Sequence, residues 1–419
     1  MRVHIISDVY PPEPVTAAMT AHDIVEELVQ RHHEVTVFAP FPNRPTGQLS
    51  AGYKRSWKRI EQRQGYHLIY SWHTLSTTST MVSRTAENLS FALTSTIQLM
   101  RAPRPDVVYM NTWAIFAQWL NTAVLYRWKV PVICVVHDIY PETFADMGKM
   151  AKGGLLTRWL TAIDKQVYRQ SAIVTVLNPV QRAYLIESRN LPGDKVKVFH
   201  DWVDAERFLP DQPQDNAFRA RHHFSPDLFL AMYVGSLTRL AGLEIYIEAA
   251  EQLRHREDIK ILLVGDGAMR HDVEQQIRQR RLKNIQLIYP LEPRQVPEVQ
   301  AAADVLMLSL EVGTAEHTTP SKMLFYMFSE RPVLGSVKHD SPTAHIIHEA
   351  DCGNVVDQGN APDLAHHLEA MANHRSSLPQ LGKNARRYAE KHHLKSNVLP
   401  RIADLIEQVG GGSPSKLSS

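Results

Sequence analysis

The chain alternates short β-branched segments with longer segments of helical periodicity, and this alternation constrains its fold more than any other feature. Residues 2–6 and 34–38 are short apolar segments typical of strands. Between them, residues 20–31 place four aliphatic side chains on one helical stripe. A strand, a helix and a strand at this spacing predict a right-handed βαβ unit with a parallel sheet.

The alternation is interrupted once and then begins again. The predicted strands of the first series continue at residues 106–109, 130–136, 173–177 and 195–199, and those of the second series lie at 228–234, 259–264, 285–289, 305–308 and 332–334. Many are apolar throughout, as expected for parallel strands covered on both faces. The sequence therefore predicts an α/β protein of two Rossmann-like, doubly wound domains with a cleft between them.

The predicted boundary lies in a proline- and aspartate-rich stretch that contains Pro210 and Pro213. We place an N-terminal domain at residues 1–205 and a C-terminal domain at 206–390. A helix at 391–409 is expected to pack back towards the N-terminal domain, and 410–419 is expected to be a flexible tail.

Charge and cysteine content exclude several classes of protein. The chain has 46 basic and 44 acidic residues, a net charge of +2, which argues against nucleic acid as the main partner. Two cysteines provide neither a disulfide framework nor a zinc site, and no spacing typical of metal ligands appears. No signal peptide or membrane-spanning run is evident, so a cytoplasmic enzyme without a metal is expected.

Three segments after predicted strands have the residue types of a phosphate site. The loop that begins with Gly235 and Ser236 carries Arg239 and leads into a helix, but it is equally compatible with an ordinary βα turn. Gly265 and Gly267 resemble part of a dinucleotide fingerprint, yet position 270 is arginine, so a tight turn is the alternative.

A third segment combines cap-type residues with a lysine. Ser321 and Lys322 follow Pro320 at the predicted start of a helix, where a lysine opposes the helix dipole unless an anion is present. Arg239 and Lys322 follow strands that we expect to be neighbours in one sheet. The pair is therefore a candidate for holding one diphosphate.

In the first series, titratable residues follow the buried strand at 132–136. His137 and Asp138 come directly after it, and Glu142 lies in the same segment. Ligands of parallel sheets bind at this end of the strands. His137 is thus a candidate site residue, with a purely structural histidine as the alternative.

A basic segment with interleaved aromatic residues spans 53–63. Five basic residues and one acidic residue lie between Lys54 and Arg63. This composition suits an anionic membrane surface, and a solvated loop is the alternative.

Taken together, the motifs resemble those of GT-B glycosyltransferases of the retaining family 4 type, in the branch that builds exopolysaccharide and O-antigen, including colanic-acid-type enzymes. In the N-terminal half they are YPPE (10–13), HEVTV (33–37), FPNRPTG (41–47) and HDIYPE (137–142); in the C-terminal half they are VGDG (264–267), ADV (303–305), PSK (320–322), YM (326–327), RRYAE (386–390) and NVL (397–399).

This resemblance implies a nucleotide-diphosphate sugar as co-substrate, held mainly by the C-terminal half. His137, Arg239 and Lys322 would be the catalytic residues, with His137 facing the transferred sugar and the two cations on the diphosphate. The remaining residues implied for the donor are Gly235, Ser236, Gly267, Leu291, His317 and Ser321, and those implied for the acceptor side are Val15, Thr16, Asp138 and Glu142. The N-terminal half would be the acceptor side, and the acceptor would be a glycan or a lipid-linked acceptor. Peripheral contact at the inner membrane is a separate hypothesis, based on the basic segment at 53–63.

The sequence departs from the family pattern at three places. Phe325 stands where the second glutamate of Glu-x7-Glu binds the donor ribose, Val15 and Thr16 replace a glycine pair, and Ala241 replaces a lysine. Two other functions therefore stay open: a GT-B nucleotide-sugar epimerase, and a non-catalytic sugar-nucleotide-binding subunit of a polysaccharide assembly.

Overall fold

A computed structural model describes residues 1–13, 15–44, 46–78, 80–146, 150–151, 153–208, 216–312 and 319–412. Its internal contacts divide the chain into two compact units. The first, called unit 1 below, comprises residues 1–199 together with the chain from Val398 onwards. The second, unit 2, comprises His200–Asn397. Each contains one sheet and its own apolar core.

Unit 1 is built on an eight-stranded sheet in the order β3-β4-β2-β1-β5-β6-β7-β8. Its strands are β1 (Arg2–Ser7), β2 (Glu34–Pro40), β3 (Lys58–Arg63), β4 (Tyr66–Ser71), β5 (Val107–Asn111), β6 (Val132–Val136), β7 (Ile173–Val176) and β8 (Val196–Val198). All neighbouring pairs are parallel except the edge pair β3 and β4. Strands β5 and β6 are buried along their whole length, as the apolar sequences that make up all of β6 and the first four residues of β5 predict.

The helices of unit 1 connect these strands and cover the sheet. They are α1 (Thr16–Gln30), α2 (Met81–Arg101), α3 (Ile115–Arg127), α4 (Glu142–Asp146), α5 (Leu155–Gln170), α6 (Pro179–Arg189) and the last helix of the chain, α15 (Lys395–Gly411). Local sequence fixes where several of them begin. Thr80 caps α2 by accepting a hydrogen bond from the backbone of Ser83, and Asn178 caps α6 in front of Pro179.

Unit 2 has a six-stranded, fully parallel sheet in the order β11-β10-β9-β12-β13-β14. Its strands are β9 (Phe229–Val234), β10 (Ile259–Val264), β11 (Ile285–Ile288), β12 (Val305–Ser309), β13 (Val333–Ser336) and β14 (Gly353–Val356). Its helices are α7 (Ala217–Arg221), α8 (Glu244–Gln252), α9 (Arg270–Gln279), α10 (Val296–Ala301), α11 (Lys322–Phe328), α12 (Pro342–Glu349), α13 (Ala361–Asn373) and α14 (Leu378–His393). This is the doubly wound order, and the direction of winding reverses between β9 and β12.

The predicted α/β class, with two doubly wound parallel sheets, is confirmed, and three details of the sequence prediction require correction. Along the chain, unit 1 ends at Phe199 and unit 2 begins at His200, a few residues before the predicted boundary. The residues just after this point belong to unit 2, since Val203 forms a backbone bridge with Leu394. Pro210 and Pro213 lie outside the described residues.

The second correction concerns the end of the chain. The predicted single helix at 391–409 is instead the end of α14 and the whole of α15, separated at Leu394. Helix α15 continues to Gly411, past the predicted start of the tail at 410, because Val409 is buried and Gly410 lies tightly against Val107. Residues 413–419 lie outside the described residues. Arg31 bonds to Asp404, so α15 packs on α1 within unit 1.

The third correction concerns the basic segment at 53–63. Its second half is strand β3 rather than a loop, and it pairs antiparallel with β4 at the edge of the sheet. Two of its arginines, Arg59 and Arg63, each form an ion pair with Glu61. Part of the positive charge counted in the sequence is thus neutralised locally.

Candidate active site

The point at which the winding of the unit 2 sheet reverses carries the loop after β9. Ligands of doubly wound sheets bind beside such a point, at the carboxyl ends of the strands. The loop begins at Gly235 and is tied to the end of β12: the hydroxyl of Ser309 donates to the carbonyl of Ala241, and the backbone N–H of Glu311 donates to Leu240 at 3.0 Å. Gly242 turns the chain with a φ of 54°.

The two glycines after β10 serve close packing against this same loop. A Cβ at Gly265 would overlap the carbonyl oxygen of Gly235, and a Cβ at Gly267 would overlap that of Leu237. The backbone N–H of Leu237 donates to Asp266 at 2.9 Å. From the sequence, Gly265 and Gly267 could belong either to a dinucleotide fingerprint or to a tight turn. The geometry supports the tight turn, which here joins two neighbouring βα loops.

Lys322 is the first residue of α11 and lies beside Gly235. Its ammonium donates to the hydroxyl of Tyr233 at 2.6 Å, and a Cβ added to Gly235 would be 3.6 Å from the lysine Nζ. No carboxylate among the described residues pairs with it. Burial lowers the pKa of Lys322 from 10.5 to about 8, because a half-buried ammonium without a counter-ion is poorly solvated. The site therefore holds a cation that an incoming anion would neutralise.

Arg239 lies in the same loop, in a single 3-10 turn that ends at Ala241. Its side chain is exposed, and none of the residues that the structure describes forms a hydrogen bond or ion pair with it. Ala241 and Leu243 on its C-terminal side are buried in the core, so the loop that carries the guanidinium is anchored. Arg239 lies in the loop after β9, and Lys322 begins the helix after β12. These two strands are neighbours in the sheet, as the sequence predicts, so both cations lie on the side of its carboxyl ends.

The other residues implied for the donor surround this edge with less specific contacts. Ser236 is exposed, and its carbonyl accepts a hydrogen bond from Tyr233 at 2.8 Å. Ser321 is exposed directly before α11, and Leu291 packs on the apolar core of unit 2. His317 lies outside the described residues.

Phe325, which replaces the glutamate of the family pattern, is turned towards the core. Its ring stacks on Phe208 with centroids 5.7 Å apart. The position therefore supplies packing where a carboxylate would supply a hydrogen-bond acceptor.

In unit 1 the winding reverses between β1 and β5, and His137 lies near that point. His137 follows β6, and its Nε2 is 2.6 Å from the side-chain oxygen of Asn111, the last residue of β5. The backbone carbonyl of His137 accepts from Gln181 at 3.0 Å. These two bonds fix the position of the imidazole at the carboxyl edge of the sheet.

A buried acid that we did not expect from the sequence lies at the same edge. Asp8 directly follows β1, is 7% exposed, and neither of its carboxylate oxygens makes a hydrogen bond of normal geometry to a described residue. Burial raises its pKa from 3.8 to about 7, although nearby Arg44, Thr112 and the backbone of Trp113 oppose the rise. The rule that singled out His137, a polar residue immediately after a central strand, also applies to Asp8.

Arg44 belongs to a buried polar network beside this acid. Its guanidinium lies 5.5 Å from the ring centre of Trp113 and 3.5 Å from Glu87. Glu13 accepts hydrogen bonds from the backbone of Asn43 and Arg44 at 2.8 and 3.0 Å. The motifs at 10–13 and 41–47 are therefore joined through the carboxylate of Glu13.

The four residues implied for the acceptor side differ in what they do. Val15 precedes α1, Thr16 is its first residue, and Asp138 is exposed after β6. Glu142 instead pairs with the buried Arg189 through two bonds of 2.7 and 2.8 Å. Its carboxylate is therefore engaged in holding α4 to α6.

The described residues contain no group of three or more histidine, cysteine or acidic side chains placed to hold a metal ion. None of the described helices combines the length and apolar character needed to span a bilayer.

Comparison with known proteins agrees with this arrangement. Residues 17–207 match the model of glycosyltransferase family 4, and residues 214–388 match that of the glycosyl transferases group 1. The chain belongs to these glycosyltransferases, whose solved relatives have the GT-B fold.

Individual relatives are distant. The chain is 24% identical to the probable glycosyltransferase WbjE of Pseudomonas aeruginosa over 60% of this chain and 62% of that protein. It is also 24% identical to the putative colanic acid biosynthesis glycosyl transferase WcaI of Escherichia coli K12, over 77% and 80%. The solved structure of Anabaena Alr3699/HepE with UDP and glucose superposes with a TM-score of 0.69 at 15% identity, covering 96% of this chain and 99% of that one.

Proposed function

We propose that this protein is a retaining glycosyltransferase that moves a hexose from a nucleotide-diphosphate sugar to a glycan or lipid-linked acceptor in surface polysaccharide synthesis. The observation that carries the proposal is Lys322, a half-buried cation without a described counter-ion, held beside Gly235 where the winding of the unit 2 sheet reverses. A diphosphate bound there would supply the missing negative charge.

The chemistry follows from where charge develops. As the bond between the sugar and the diphosphate breaks, negative charge accumulates on the departing phosphate. Lys322 and Arg239 stabilise that charge as fixed cations, so neither a metal nor a protonated acid is needed on the leaving group. The departing phosphate accepts the proton of the acceptor hydroxyl on the same face of the sugar, which retains the configuration at the anomeric carbon.

For the donor, a uridine diphosphate hexose is the first candidate. Support comes from the solved structure of Alr3699/HepE, which contains UDP and glucose. Phe325 offers no acceptor to a ribose hydroxyl, so we expect the diphosphate to contribute most of the donor affinity.

For the acceptor, the carboxyl edge of unit 1 provides the matching chemistry. Asp8 is a buried hydrogen-bond acceptor, and Trp113 is an aromatic surface of the kind on which sugar rings stack. His137 is held at the carboxyl edge of the same sheet by Asn111. We assign His137 to the transferred sugar and Asp8 to a sugar hydroxyl. The name of WcaI, a putative colanic acid biosynthesis enzyme, supports a polysaccharide acceptor. We place the reaction in the cytoplasm, at the membrane surface.

The test is an assay of transfer from a panel of UDP-, GDP- and dTDP-hexoses to glycan and lipid-linked acceptors. The quantity measured is the nucleoside diphosphate released. A transferase releases the nucleoside diphosphate only when acceptor is present. If the enzyme is retaining, NMR of the product shows the same anomeric configuration as that of the donor sugar. Turnover is expected to be unchanged by a chelator.

Other results would refute the proposal. Interconversion of nucleotide sugars without acceptor would indicate an epimerase. Donor binding without turnover on any acceptor would indicate a non-catalytic subunit.

A further inference from the structure

Tyr233 connects the elements that form the proposed donor site in unit 2. It lies near the carboxyl end of β9 and is fully buried, and its ring packs against Tyr246 of α8 with centroids 5.7 Å apart. Its hydroxyl reaches past the end of the strand to the following loop. A Cβ added to Gly235 would be 3.6 Å from that hydroxyl and 3.6 Å from the Nζ of Lys322, so the strand, the loop and α11 meet at this oxygen.

The direction of each hydrogen bond at this oxygen is fixed by its partners. The carbonyl of Ser236 can only accept, so the phenol donates its proton there, at 2.8 Å. The lone pairs of the oxygen are then left to accept from the ammonium of Lys322, which can only donate, at 2.6 Å. Burial raises the pKa of Tyr233 above its ordinary value of 10, so the phenol is neutral at physiological pH.

A neutral acceptor leaves the charge of Lys322 available to a ligand. A carboxylate in this place would cancel that charge and would compete with an incoming diphosphate for the ammonium. The phenol oxygen instead orients the ammonium through a short, charge-assisted hydrogen bond and adds no charge of its own. The ring contributes a further attraction, since the Nζ of Lys322 is 4.3 Å from the ring centre of Tyr233.

A second tyrosine holds α11 against β9 in a different way. The hydroxyl of Tyr326 accepts from the backbone N–H of Val234 at 2.9 Å and donates to the carbonyl of the same residue at 3.0 Å. Tyr326 lies about one helical turn after Lys322. Its described bonds are to backbone alone, so Tyr326 fixes the helix, whereas Tyr233 fixes the side chain of Lys322.

From this arrangement we infer that Tyr233 is a positioning residue of the proposed transferase: its hydroxyl aims the ammonium of Lys322 at the space beside Gly235 that the donor diphosphate would occupy. The inference rests on the proposed function, because the diphosphate is the group on which the aimed ammonium would act. Without the hydroxyl, the ammonium would have no acceptor among the described residues and its orientation would be lost.

The variant Tyr233→Phe tests this role, because it removes the hydroxyl and keeps the ring. A hydrogen bond to a charged group stabilises the charged form by about a factor of ten or more. The pH at which half of Lys322 is deprotonated should therefore move from about 8 to lower pH by roughly one pH unit. NMR of protein containing lysine with carbon-13 at Cε measures this midpoint without any ligand, and the signal that disappears in Lys322→Met is that of Lys322.

Calorimetric titration with UDP, GDP and dTDP between about pH 6 and about pH 9 measures the consequence for binding. The affinity of wild-type protein for the tightest of the three should fall above pH 8, where Lys322 loses its charge. That of Tyr233→Phe should begin to fall about one pH unit earlier and should be at least about threefold weaker near pH 7.5, from the loss of protonated lysine alone.

The matched control is Tyr326→Phe, which also removes one buried hydroxyl between β9 and α11. It should lower the Tm, but both the midpoint of Lys322 and the pH dependence of binding should stay as in wild type. Thermal unfolding shows whether each variant is folded, and Tyr233→Met, which also lacks the hydroxyl, is a second variant if Tyr233→Phe does not fold.

Three results would count against the inference in different ways. An unchanged midpoint and an unchanged pH dependence of binding in a folded Tyr233 variant would overturn it. An equal shift in Tyr326→Phe would also overturn it, since a general loosening of α11 would then explain both variants. A wild-type protein that binds none of the three diphosphates would overturn the proposed function, and this role with it, whatever the midpoint of Lys322.

Discussion

Replacement of Lys322 by methionine should raise stability and lower activity at once. The pKa of Lys322 falls from 10.5 to about 8 on folding, so the free protein carries its ammonium at a cost of about 3 kcal/mol at neutral pH. Losing the hydrogen bond to Tyr233 offsets about 1 kcal/mol of the gain. The net gain of about 2 kcal/mol corresponds to a rise in Tm of roughly 6 °C.

The same substitution removes a cation from the leaving group. Deleting one fixed group that stabilises transition-state charge reduces turnover about a hundredfold or more. The same pKa shift determines how the stability difference between the variant and the wild type changes with pH. The free-energy cost of the buried ammonium is complete below pH 8. It decreases as pH rises towards 10.5, where the lysine of the unfolded chain also loses its proton. The advantage of the variant in unfolding experiments should therefore shrink above pH 8.

Lys260 provides a matched control for this experiment. It is a half-buried lysine of β10 whose pKa is also lowered by burial, but it lies near the amino end of the strand. Lys260→Met should be stabilised without losing donor affinity. Calorimetry of the free proteins and steady-state transfer assays measure both effects. Wild-type turnover in Lys322→Met, or stability and activity that fall together, would refute the reasoning.

Three further predictions concern other parts of the site. Arg239→Ala should reduce turnover at least about tenfold with an unchanged Tm, because the side chain is exposed and has no described partner; equal turnover would contradict its role. Asp8→Asn should be more stable than wild type above pH 7, by up to about 4 kcal/mol, and equal to it near pH 4, since ionising the buried acid costs stability between its unfolded pKa of 3.8 and about 7; urea unfolding at both pH values measures this. Arg189→Met should lose about 3–5 kcal/mol in the same experiment, because Glu142 would lose its cation and the buried Asp164, whose pKa burial already raises to about 7, would lose its hydrogen bond and have to be protonated.

The sequence contains most of the information for the parallel sheets but less for their edges. Central strands such as β6 and β9 are buried on both faces, so their apolar sequences identify them. Strand β3 has no such signal, because it pairs on one side only and four of its six residues are charged. Strand β14 is short and begins with glycine, so nothing in its sequence distinguishes it from a turn.

The candidate site also has one part that could be predicted from the sequence and one part that could not. That Arg239 and Lys322 would follow neighbouring strands could be predicted, since strand order and the location of ligands in doubly wound sheets obey general rules. The network of Arg44, Glu13 and Glu87 could not, because it joins residues far apart in the chain whose meeting depends on tertiary packing.

The most direct test of the central claim, that unit 2 holds a diphosphate through Arg239 and Lys322, is calorimetric titration with UDP, UMP and uridine. Wild-type protein should bind UDP at least about tenfold more tightly than UMP, and the Arg239→Ala/Lys322→Met variant should lose that preference while its affinity for uridine is unchanged. An unaltered preference for UDP in the double variant would show that the diphosphate is bound elsewhere.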